Sequence, residues 1–306
     1  MTTLVLGATG QVGFELMRAL GSSDEIVAAA LGGELVDGTQ CLDVDFTNSA
    51  SLAGVLDAVG ADTIVNAAAY TAVDRAEDEP DLADRINHRA VAEIGAWAAN
   101  RGARVVHYST DYVFDGAATR PYREDDPTAP LGAYGRTKLA GEDALRASGA
   151  RHVILRTAWV YGAHGHNFAR TMLRLAGERD ELRVVDDQTG APTTARLIAE
   201  TTATVLRAWQ GNDTIGGVYH ITAAGSCTWR SFAEAIVRGG VERGLVACSP
   251  RVVPITTAEF PTRARRPAYS VLDCGRLEAA FGLQLPPWQA GLAGVLDELA
   301  AARRDV

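Results

Sequence analysis

The most informative residues of the sequence are Tyr134 and Lys138, which lie four positions apart. In a helix, positions i and i+4 share a face, so the phenol and the ammonium group would lie together. An unperturbed tyrosine titrates near pKa ~10, and a neighbouring cation lowers that pKa because it favours the phenolate. The pair therefore predicts a phenol that exchanges a proton with an alcohol or a carbonyl near neutral pH.

A glycine-rich loop near the amino terminus, with Gly7, Gly10 and Gly13, lies between a short apolar segment and an amphipathic helical pattern. This order is the context of a dinucleotide-binding turn. The first glycine would permit the tight turn, the second would let a pyrophosphate approach the backbone, and the third would allow close helix packing. The helix amino terminus would then present unpaired N–H groups to the phosphates. A plain glycine-rich turn is the alternative interpretation.

The composition is that of a globular enzyme: 306 residues, of which 47% are hydrophobic and 22% are charged. A net charge of −9 argues against a nucleic-acid partner, since no basic tract is present. No apolar run approaches the ~20 residues of a membrane helix, so no membrane partner is expected. The four cysteines are scattered without a C-x-x-C motif, and we interpret them as reduced thiols of a cytoplasmic protein.

Short apolar segments alternate with helical patterns, which predicts an α/β fold with a doubly wound parallel sheet of the Rossmann type. We predict strands at Thr3–Leu6, Ile26–Ala29, Thr63–Asn66, Arg104–Ser109 and His152–Arg156. We predict helices at Val12–Leu20, Ser49–Val59, Asp81–Asn100 and Tyr134–Ala147. Ligands of such sheets bind at the carboxyl ends of the strands, so functional residues are expected directly after them.

The second half of the sequence is less regular, and glycine, proline and arginine become frequent there. Residues 1–158 are predicted to form the NAD(P)-binding Rossmann domain, and residues 190–222 are predicted to return to it. Residues 159–189 and 223–306 are predicted to form a smaller C-terminal substrate-binding lobe.

Nearly the whole sequence resembles the dTDP-4-dehydrorhamnose reductase family, within the extended short-chain dehydrogenases. The resemblance is carried by the glycine loop, by Tyr134–Glu142, and by two narrower runs, Ser109–Gly116 and Asp186–Thr193. It implies reduction of the 4-keto group of dTDP-4-dehydro-β-L-rhamnose to give dTDP-L-rhamnose, with a hydride from NADPH or NADH.

The resemblance also implies a catalytic set of Thr110, Tyr134 and Lys138. Tyr134 would donate a proton to the substrate oxygen, while Lys138 would hold down the phenol pKa and anchor the nicotinamide ribose. Thr110, at the end of its strand, would bond the carbonyl oxygen. The adjacent Ser109 is not expected to do so, because strand alternation turns it to the opposite face. A half-buried helix tyrosine and an ordinary strand-end threonine are the alternatives.

Cofactor contacts implied by the resemblance come from the glycine loop, from two later segments and from the catalytic pair. They are Gly7, Gly10, Gln11, Val12, Gly13, Asp45, Phe46, Ala69, Tyr70, Thr71, Tyr134 and Lys138. Asp45 has an alternative role as a helix N-terminal acid. The segment after the second strand has no arginine for a 2′-phosphate and no clear ribose-binding aspartate, so the choice between NADPH and NADH is open.

Substrate contacts are expected from Thr110, Asp111, Trp159 and Arg266. An aromatic face of Trp159 would cover the apolar side of the hexose, and Arg266 would donate to the diphosphate. Core packing and a solvated charge are the respective alternatives. No metal site is predicted, because His164 and His166 lack a third ligand at a fitting spacing.

Two functions of other classes stay open beside the sugar reductase. The first is another nucleotide-sugar enzyme, either a 4-ketoreductase of a different deoxysugar pathway or an epimerase. An epimerase would keep its cofactor bound through turnover, whereas a reductase exchanges it. The second is a non-catalytic regulatory subunit of the same fold, which can lose the catalytic residues that this sequence keeps. The expected partner is a dTDP-sugar, and the chain is expected to be a monomer or a homodimer.

Overall fold

The computed structural model describes residues 1–21, 25–212 and 214–304. Its strands are β1 (Thr2–Leu6), β2 (Glu25–Ala30), β3 (Leu42–Asp43), β4 (Thr63–Asn66), β5 (Arg104–Thr110), β6 (Arg151–Thr157), β7 (Val160–Tyr161), β8 (Glu181–Val185), β9 (Thr189–Gly190), β10 (Thr193–Thr194), β11 (Gly217–His220), β12 (Cys227–Thr228) and β13 (Arg251–Ile255). Its helices are α1 (Gln11–Leu20), α2 (Ser49–Val59), α3 (Pro80–Asp84), α4 (Ala90–Arg101), α5 (Ala133–Ala147), α6 (Phe168–Glu178), α7 (Ala195–Gln210), α8 (Trp229–Glu242), α9 (Gly275–Phe281) and α10 (Trp288–Arg304).

Seven strands form one parallel sheet in the order β11-β6-β5-β4-β1-β2-β3. The strand order reverses between β1 and β4, which is the switch point where ligands of doubly wound sheets bind. This confirms the predicted fold class. The five predicted strands are present with bounds shifted by one residue or less, since each is a short apolar run, and β1, β4 and β5 are buried nearly throughout.

Two apolar clusters cover the faces of the sheet. One includes Leu52 and Ile94 from the helices on its side, and the other includes Leu16 and Trp209 from α1 and α7 on the opposite side. The second cluster also contains Leu277 of α9, which lies in a segment that the sequence assigns to the smaller lobe. The division of the chain into two lobes stays a prediction.

A third apolar cluster lies outside the sheet and joins α6, α8 and α10 with the parallel pair of β8 and β13. Phe232 and Trp288 pack there edge to face, with ring centroids 5.7 Å apart. The sequence predicts less regular structure in this half, but α7, α8 and α10 are regular helices of 16, 14 and 17 residues. None of the described helices combines the length and apolar character that a membrane crossing requires.

The segment predicted as one helix from Asp81 to Asn100 differs from that prediction in its centre. It consists of α3, a π-helical stretch at Arg85–Arg89, and α4. Single π turns inside helices are rare and often lie at functional sites. Here the π stretch contains the buried Asn87, whose side chain bonds groups outside its own helix.

Helix α5 is fixed on the sheet by a buried ion pair and by close backbone contacts. Arg156 of β6 donates two hydrogen bonds to Glu142 of α5, at 2.9 and 2.7 Å, and the two side chains are 1% and 0% exposed. A Cβ at Gly141 would overlap the carbonyl oxygen of Asn87, and a Cβ at Gly135 would overlap that of Tyr112. The helix that contains Tyr134 and Lys138 is therefore held closely on two sides.

Replacing Glu142 by glutamine is expected to lower the free energy of unfolding by about 3–5 kcal/mol, because Arg156 would stay buried without a partner of opposite charge. Denaturant unfolding measures this loss. Glu178→Gln is the matched control, since the Glu178–Arg174 pair is exposed and its removal should change stability by less than about 1 kcal/mol. Equal effects of the two variants would show that the buried pair does not hold α5.

Candidate functional site

The glycine loop between β1 and α1 has the geometry that a dinucleotide requires. Gly7 has a φ of +79°, in the left-handed region that favours glycine. A Cβ at Gly13 would overlap the carbonyl oxygen of Gly7, so the third glycine allows close packing of α1. A Cβ at the exposed Gly10 would meet only Gly7 O, at 3.3 Å. The loop thus leaves its central backbone open to a phosphate, and its three glycines fit the pyrophosphate of a dinucleotide.

Gln11 and Val12, the next two predicted cofactor residues, begin α1. Asn167 donates from Nδ2 to Oε1 of Gln11 at 2.9 Å, which fastens the start of α1 to the loop before α6. The side chain of Val12 packs against the apolar cluster beneath the helix. Their contacts to a cofactor stay predictions.

Asp45 and Phe46 lie between β3 and α2 and are already engaged within the chain. The carboxylate of Asp45 accepts hydrogen bonds from the Thr47 side chain and backbone, which hold the Asp45 pKa below its usual range. Asn48, not Asp45, caps α2 by accepting from Ala50 N at 3.0 Å. Phe46 is buried in the core. An adenine contact through either residue stays a prediction.

The segment after β4, with Ala69, Tyr70 and Thr71, is tied to α5 through Asn87. The Asn87 amide accepts from Tyr70 N at 2.9 Å and donates to Tyr70 O at 3.1 Å. It also donates to the Thr137 hydroxyl at 3.2 Å. Asn87 thus positions a predicted cofactor segment against the helix of Tyr134. Sequence patterns do not predict a role for Asn87, because the π turn that presents it has no periodic signal.

Thr110 and Tyr134 meet at the carboxyl end of β5. The Thr110 hydroxyl donates to Asp111 Oδ1 at 2.9 Å and accepts from Tyr112 N at 3.2 Å, which begins a short 3₁₀ helix at Asp111–Val113. The Tyr134 ring packs edge to face on Tyr112, with centroids 5.7 Å apart. The neighbouring Ser109 is buried, and its hydroxyl has no hydrogen-bond partner among the described residues.

The pKa of Tyr134 is shifted in the opposite direction to the sequence prediction. Burial raises the pKa of the phenol to about 12, and the nearby Asp111 adds to this rise, while hydrogen bonding with Thr110 works against it. The expected lowering by Lys138 is therefore wrong for this structure. The physical reason is loss of hydration at both groups: Lys138 is buried and Tyr134 is partly buried, which disfavours the ammonium and the phenolate alike.

Lys138 is buried and lies with its Nζ 2.6 Å from the carbonyl oxygen of Tyr108 and 3.3 Å from Nε2 of His107. Burial lowers the pKa of this lysine to about 8, and the Glu142 carboxylate partly offsets that effect. It is also the only lysine among the 29 lysines and arginines of the sequence. Arginine cannot release its proton in proteins, whereas a buried lysine can. This compositional signal marks Lys138 more specifically than the four-residue spacing does.

Asp111 is 2% exposed and lies beside the predicted catalytic residues. Its Oδ1 accepts from Thr110, whereas Oδ2 makes no hydrogen bond to any described residue. Burial raises the pKa of this carboxyl to about 6, although the nearby hydroxyls of Ser270 and Thr110 favour the charged form. A polar ligand could satisfy the unpartnered oxygen, so its substrate contact stays a prediction.

Arg266 crosses from the C-terminal half to the segment after β4. Its guanidinium lies 2.8 Å from Asp74 Oδ2. Burial raises the pKa of the neighbouring Tyr112 phenol, and Arg266 partly offsets that rise. Arg263 pairs in the same way with Asp78. A diphosphate at this place would compete with these carboxylates for the arginines.

Trp159 does not present the open aromatic face that the sequence analysis expected. Its ring is stacked on Trp229, with centroids 3.4 Å apart and planes 6° apart. A Cβ at Gly190 would overlap the same indole. Trp159 also has a φ of 47°, the one positive φ of a non-glycine residue among residues 1–21, 25–212 and 214–304. Such strain is often located at functional sites. A sugar contact by this ring stays a prediction and would need its edge or a shift of Trp229.

The carboxylate of Glu15 is held by arginines. Arg18 and Arg196 each lie 3.5 Å from it, and Arg196 also pairs with Glu298. Over the described part of the chain, no group of three histidine, cysteine, aspartate or glutamate side chains is placed to hold a metal ion.

Comparison with known proteins identifies the family. The family model described as the RmlD substrate binding domain matches residues 1–301. A dTDP-4-dehydrorhamnose reductase of Escherichia coli K12 is 44% identical over 299 residues, which cover 98% of both chains. The chain belongs to the dTDP-4-dehydrorhamnose reductase family. The resemblance inferred from the sequence is confirmed.

Solved structures agree with this assignment. The dTDP-4-dehydrorhamnose reductase of Clostridium acetobutylicum superposes with a TM-score of 0.86 at 37% identity, covering 98% of this chain and 99% of its own. That of Bacillus anthracis, solved in complex with NADP, gives a TM-score of 0.84 at 33% identity, with 97% and 99% covered. A nicotinamide dinucleotide is the cofactor of this family, as the glycine loop predicts.

Replacing Gly10 by valine is expected to abolish cofactor binding, because the side chain would occupy the space that the pyrophosphate needs. Titration of protein fluorescence with NADPH measures the affinity. Thermal unfolding is the control, since the φ of Gly10 is −69° and valine should be tolerated there. Unchanged NADPH affinity in a folded Gly10→Val variant would refute the role of the loop.

Replacing Asp111 by asparagine should remove a pH dependence of stability. The folded-state pKa, about 6, exceeds the usual 3.8, so the folded protein retains a proton that the unfolded chain releases. Stability therefore falls as pH rises from about 4 through 6, by on the order of 1–3 kcal/mol, and the loss is complete about one pH unit above the folded-state pKa. Chemical denaturation at pH 5 and pH 8 should show a smaller difference for the variant. An identical difference in both proteins would contradict this reading.

Proposed function

We propose that this chain reduces dTDP-4-dehydro-β-L-rhamnose to dTDP-L-rhamnose with NADPH or NADH, and that Thr110, Tyr134 and Lys138 are its catalytic residues. The observation that carries the proposal is the placement of a protonated phenol, a strand-end hydroxyl and the only lysine at the carboxyl edge of the sheet. The glycine loop follows β1, so it lies at the same carboxyl edge of the sheet. It is next to the switch point, because that point lies between the neighbouring strands β1 and β4.

A reduced nicotinamide, when bound, supplies the hydride for the carbonyl carbon. Tyr134 donates its phenolic proton to the carbonyl oxygen as negative charge develops there, so no full alkoxide accumulates. Its raised pKa suits this direction, since the phenol stays protonated throughout the physiological range. The Thr110 hydroxyl orients the same oxygen.

Lys138 acts in its charged form in this proposal. With a pKa near 8 it is mostly an ammonium group at pH 7, and it would donate to the ribose of the cofactor. The positive charge also stabilises the phenolate that remains after Tyr134 has released its proton. The cation thus assists the product side of the proton transfer, although it does not lower the resting pKa of the phenol.

The substrate is proposed to lie between the end of β5 and the C-terminal half of the chain. Asp111 would accept from a sugar hydroxyl, Arg266 would bind the diphosphate, and the edge of Trp159 would line the sugar pocket. Residues 1–158 with 190–222 would bind the cofactor, and residues 159–189 with 223–306 would bind the sugar nucleotide. We further propose a cytoplasmic protein, a monomer or homodimer, without a nucleic-acid partner.

Replacing Tyr134 by phenylalanine is expected to lower kcat by about 100-fold or more, in line with the loss of a general acid. NADPH oxidation with dTDP-4-dehydrorhamnose measures the rate, and fluorescence titration should show that the cofactor still binds. Tyr219→Phe, which removes a hydroxyl from a buried tyrosine of β11, is the matched control and should keep its rate.

The same assay separates the alternatives. A reductase consumes one NADPH for each sugar, an epimerase converts the sugar without net cofactor oxidation, and a regulatory subunit does neither. Near-normal turnover of Tyr134→Phe would refute the assigned proton donor.

A further inference from the structure

A chain of three buried polar side chains runs beneath the predicted active site. Asn66, at the end of β4, lies with its Nδ2 3.2 Å from Nδ1 of His107 on β5. Nε2 of the same imidazole lies 3.3 Å from Nζ of Lys138. The three residues are 1%, 0% and 2% exposed. His107 is therefore the inner neighbour of the lysine, and the mechanism above does not use it.

Hydrogen-bond accounting along this chain gives the imidazole tautomer that fits this orientation of the Asn66 amide. The Oδ1 of Asn66 accepts from Ala68 N at 3.2 Å, so its Nδ2 is the group that faces His107. An amide NH₂ can only donate, and the Nδ1 atom of His107 must therefore accept. A neutral imidazole has one proton, which is then on Nε2 and points at Lys138.

An ammonium group at Lys138 would conflict with that arrangement. Both Nζ and Nε2 would present hydrogens across 3.3 Å, with no lone pair between them. A neutral amine avoids the conflict, because it accepts from Nε2–H and donates to the carbonyl oxygen of Tyr108. Burial keeps the imidazole itself neutral, since it holds the His107 pKa well below its usual value.

The charged lysine has a second arrangement available to it. If the imidazole proton moves to Nδ1, then Nε2 can accept from the ammonium group. Asn66 must in that case turn its oxygen toward Nδ1–H and release Ala68 N. Lysine protonation would thus be coupled to the amide orientation of Asn66 and to the backbone directly before Ala69 and Tyr70.

We propose that His107 and Asn66 are positioning residues that set the proton affinity of Lys138 through the tautomer of the His107 imidazole. This inference rests on the function proposed above for Lys138. The neutral lysine pairs with the Nε2–H tautomer and the charged lysine with the Nδ1–H tautomer. Proton uptake by the lysine would therefore change the backbone hydrogen bonding directly before the predicted cofactor segment after β4.

The other groups around Lys138 each favour a single protonation state, so they do not replace the tautomer change of His107. Glu142, one turn along α5, favours the ammonium form and is itself paired with Arg156 of β6. From β5, Tyr108 contributes its carbonyl oxygen, and its own hydroxyl bonds Thr202 at 2.7 Å. Tyr134 is the remaining titratable group on this helix face, and it stays protonated well above pH 8.

The sequence makes the test unusually direct, because Lys138 is its only lysine. Protein labelled with ¹³C at lysine Cε gives one lysine signal, whose pH titration reports this group without assignment. Protein labelled with ¹⁵N in the six histidines reports the tautomer of each imidazole. The His107 signals are those that the His107→Gln variant lacks. Neither measurement needs substrate or cofactor.

The expected result in the natural protein is a lysine titration near pH 8 with a tautomer change of His107 at the same midpoint. His107→Gln should raise the lysine pKa by about one pH unit, a tenfold gain in proton affinity, because the amide oxygen can face the ammonium group. His152→Gln is the matched control and should leave the titration unchanged, since His152 lies at the start of β6 and bonds Ala150 O.

His107→Asn provides a second comparison if the glutamine variant does not fold. It keeps a partner for Asn66 and removes the N–H that faces the lysine, so it should also raise the lysine pKa. An imidazole that keeps one tautomer throughout the lysine titration would overturn the proposal, as would an unchanged lysine pKa in the folded variants. Either outcome leaves the proposed reductase intact, whereas a fully active Tyr134→Phe variant would refute the reductase mechanism and leave this coupling intact.

Discussion

The docking of α5 against the carboxyl ends of β5 and β6 is the constraint on which the site depends. This helix must bring a phenol and an ammonium group into a region with little water, and both groups lose hydration there. The buried Glu142–Arg156 pair fixes the helix to the sheet, and two glycines bring its backbone against neighbouring carbonyl groups. The positions of Tyr134 and Lys138 follow from this packing, as do their pKa shifts.

Burial moves the pKa values of Tyr134 and Lys138 apart in a way that suits reduction of a carbonyl. It raises the pKa of the phenol and lowers that of the lysine, so near pH 7 the resting site holds a protonated phenol and an ammonium close to its own titration. A phenol with a lowered pKa would serve oxidation of an alcohol, because the base form would then be populated. The protonated phenol is the form that a carbonyl reduction consumes.

Local patterns predicted much of the molecule, because strands buried on both faces and glycine turns have local signals. The Rossmann sheet, the glycine loop and the pairing of Tyr134 with Lys138 on one helix follow from such patterns. The direction of the Tyr134 pKa shift does not, since it depends on how deeply the tertiary structure buries the phenol. The stacking of Trp159 on Trp229 and the π turn around Asn87 likewise depend on contacts between segments distant in sequence.

In the proposed reaction, hydride and proton reach the two ends of one sugar carbonyl in this site. The most direct test is a single turnover of dTDP-4-dehydrorhamnose with NADPH that is deuterated at nicotinamide C4, using each of the two stereospecifically labelled forms. One form should transfer its deuterium to sugar C4, with one oxidised cofactor released for each dTDP-rhamnose formed. Product without deuterium from either form, or a changed sugar with the cofactor still reduced, would refute the proposed reaction.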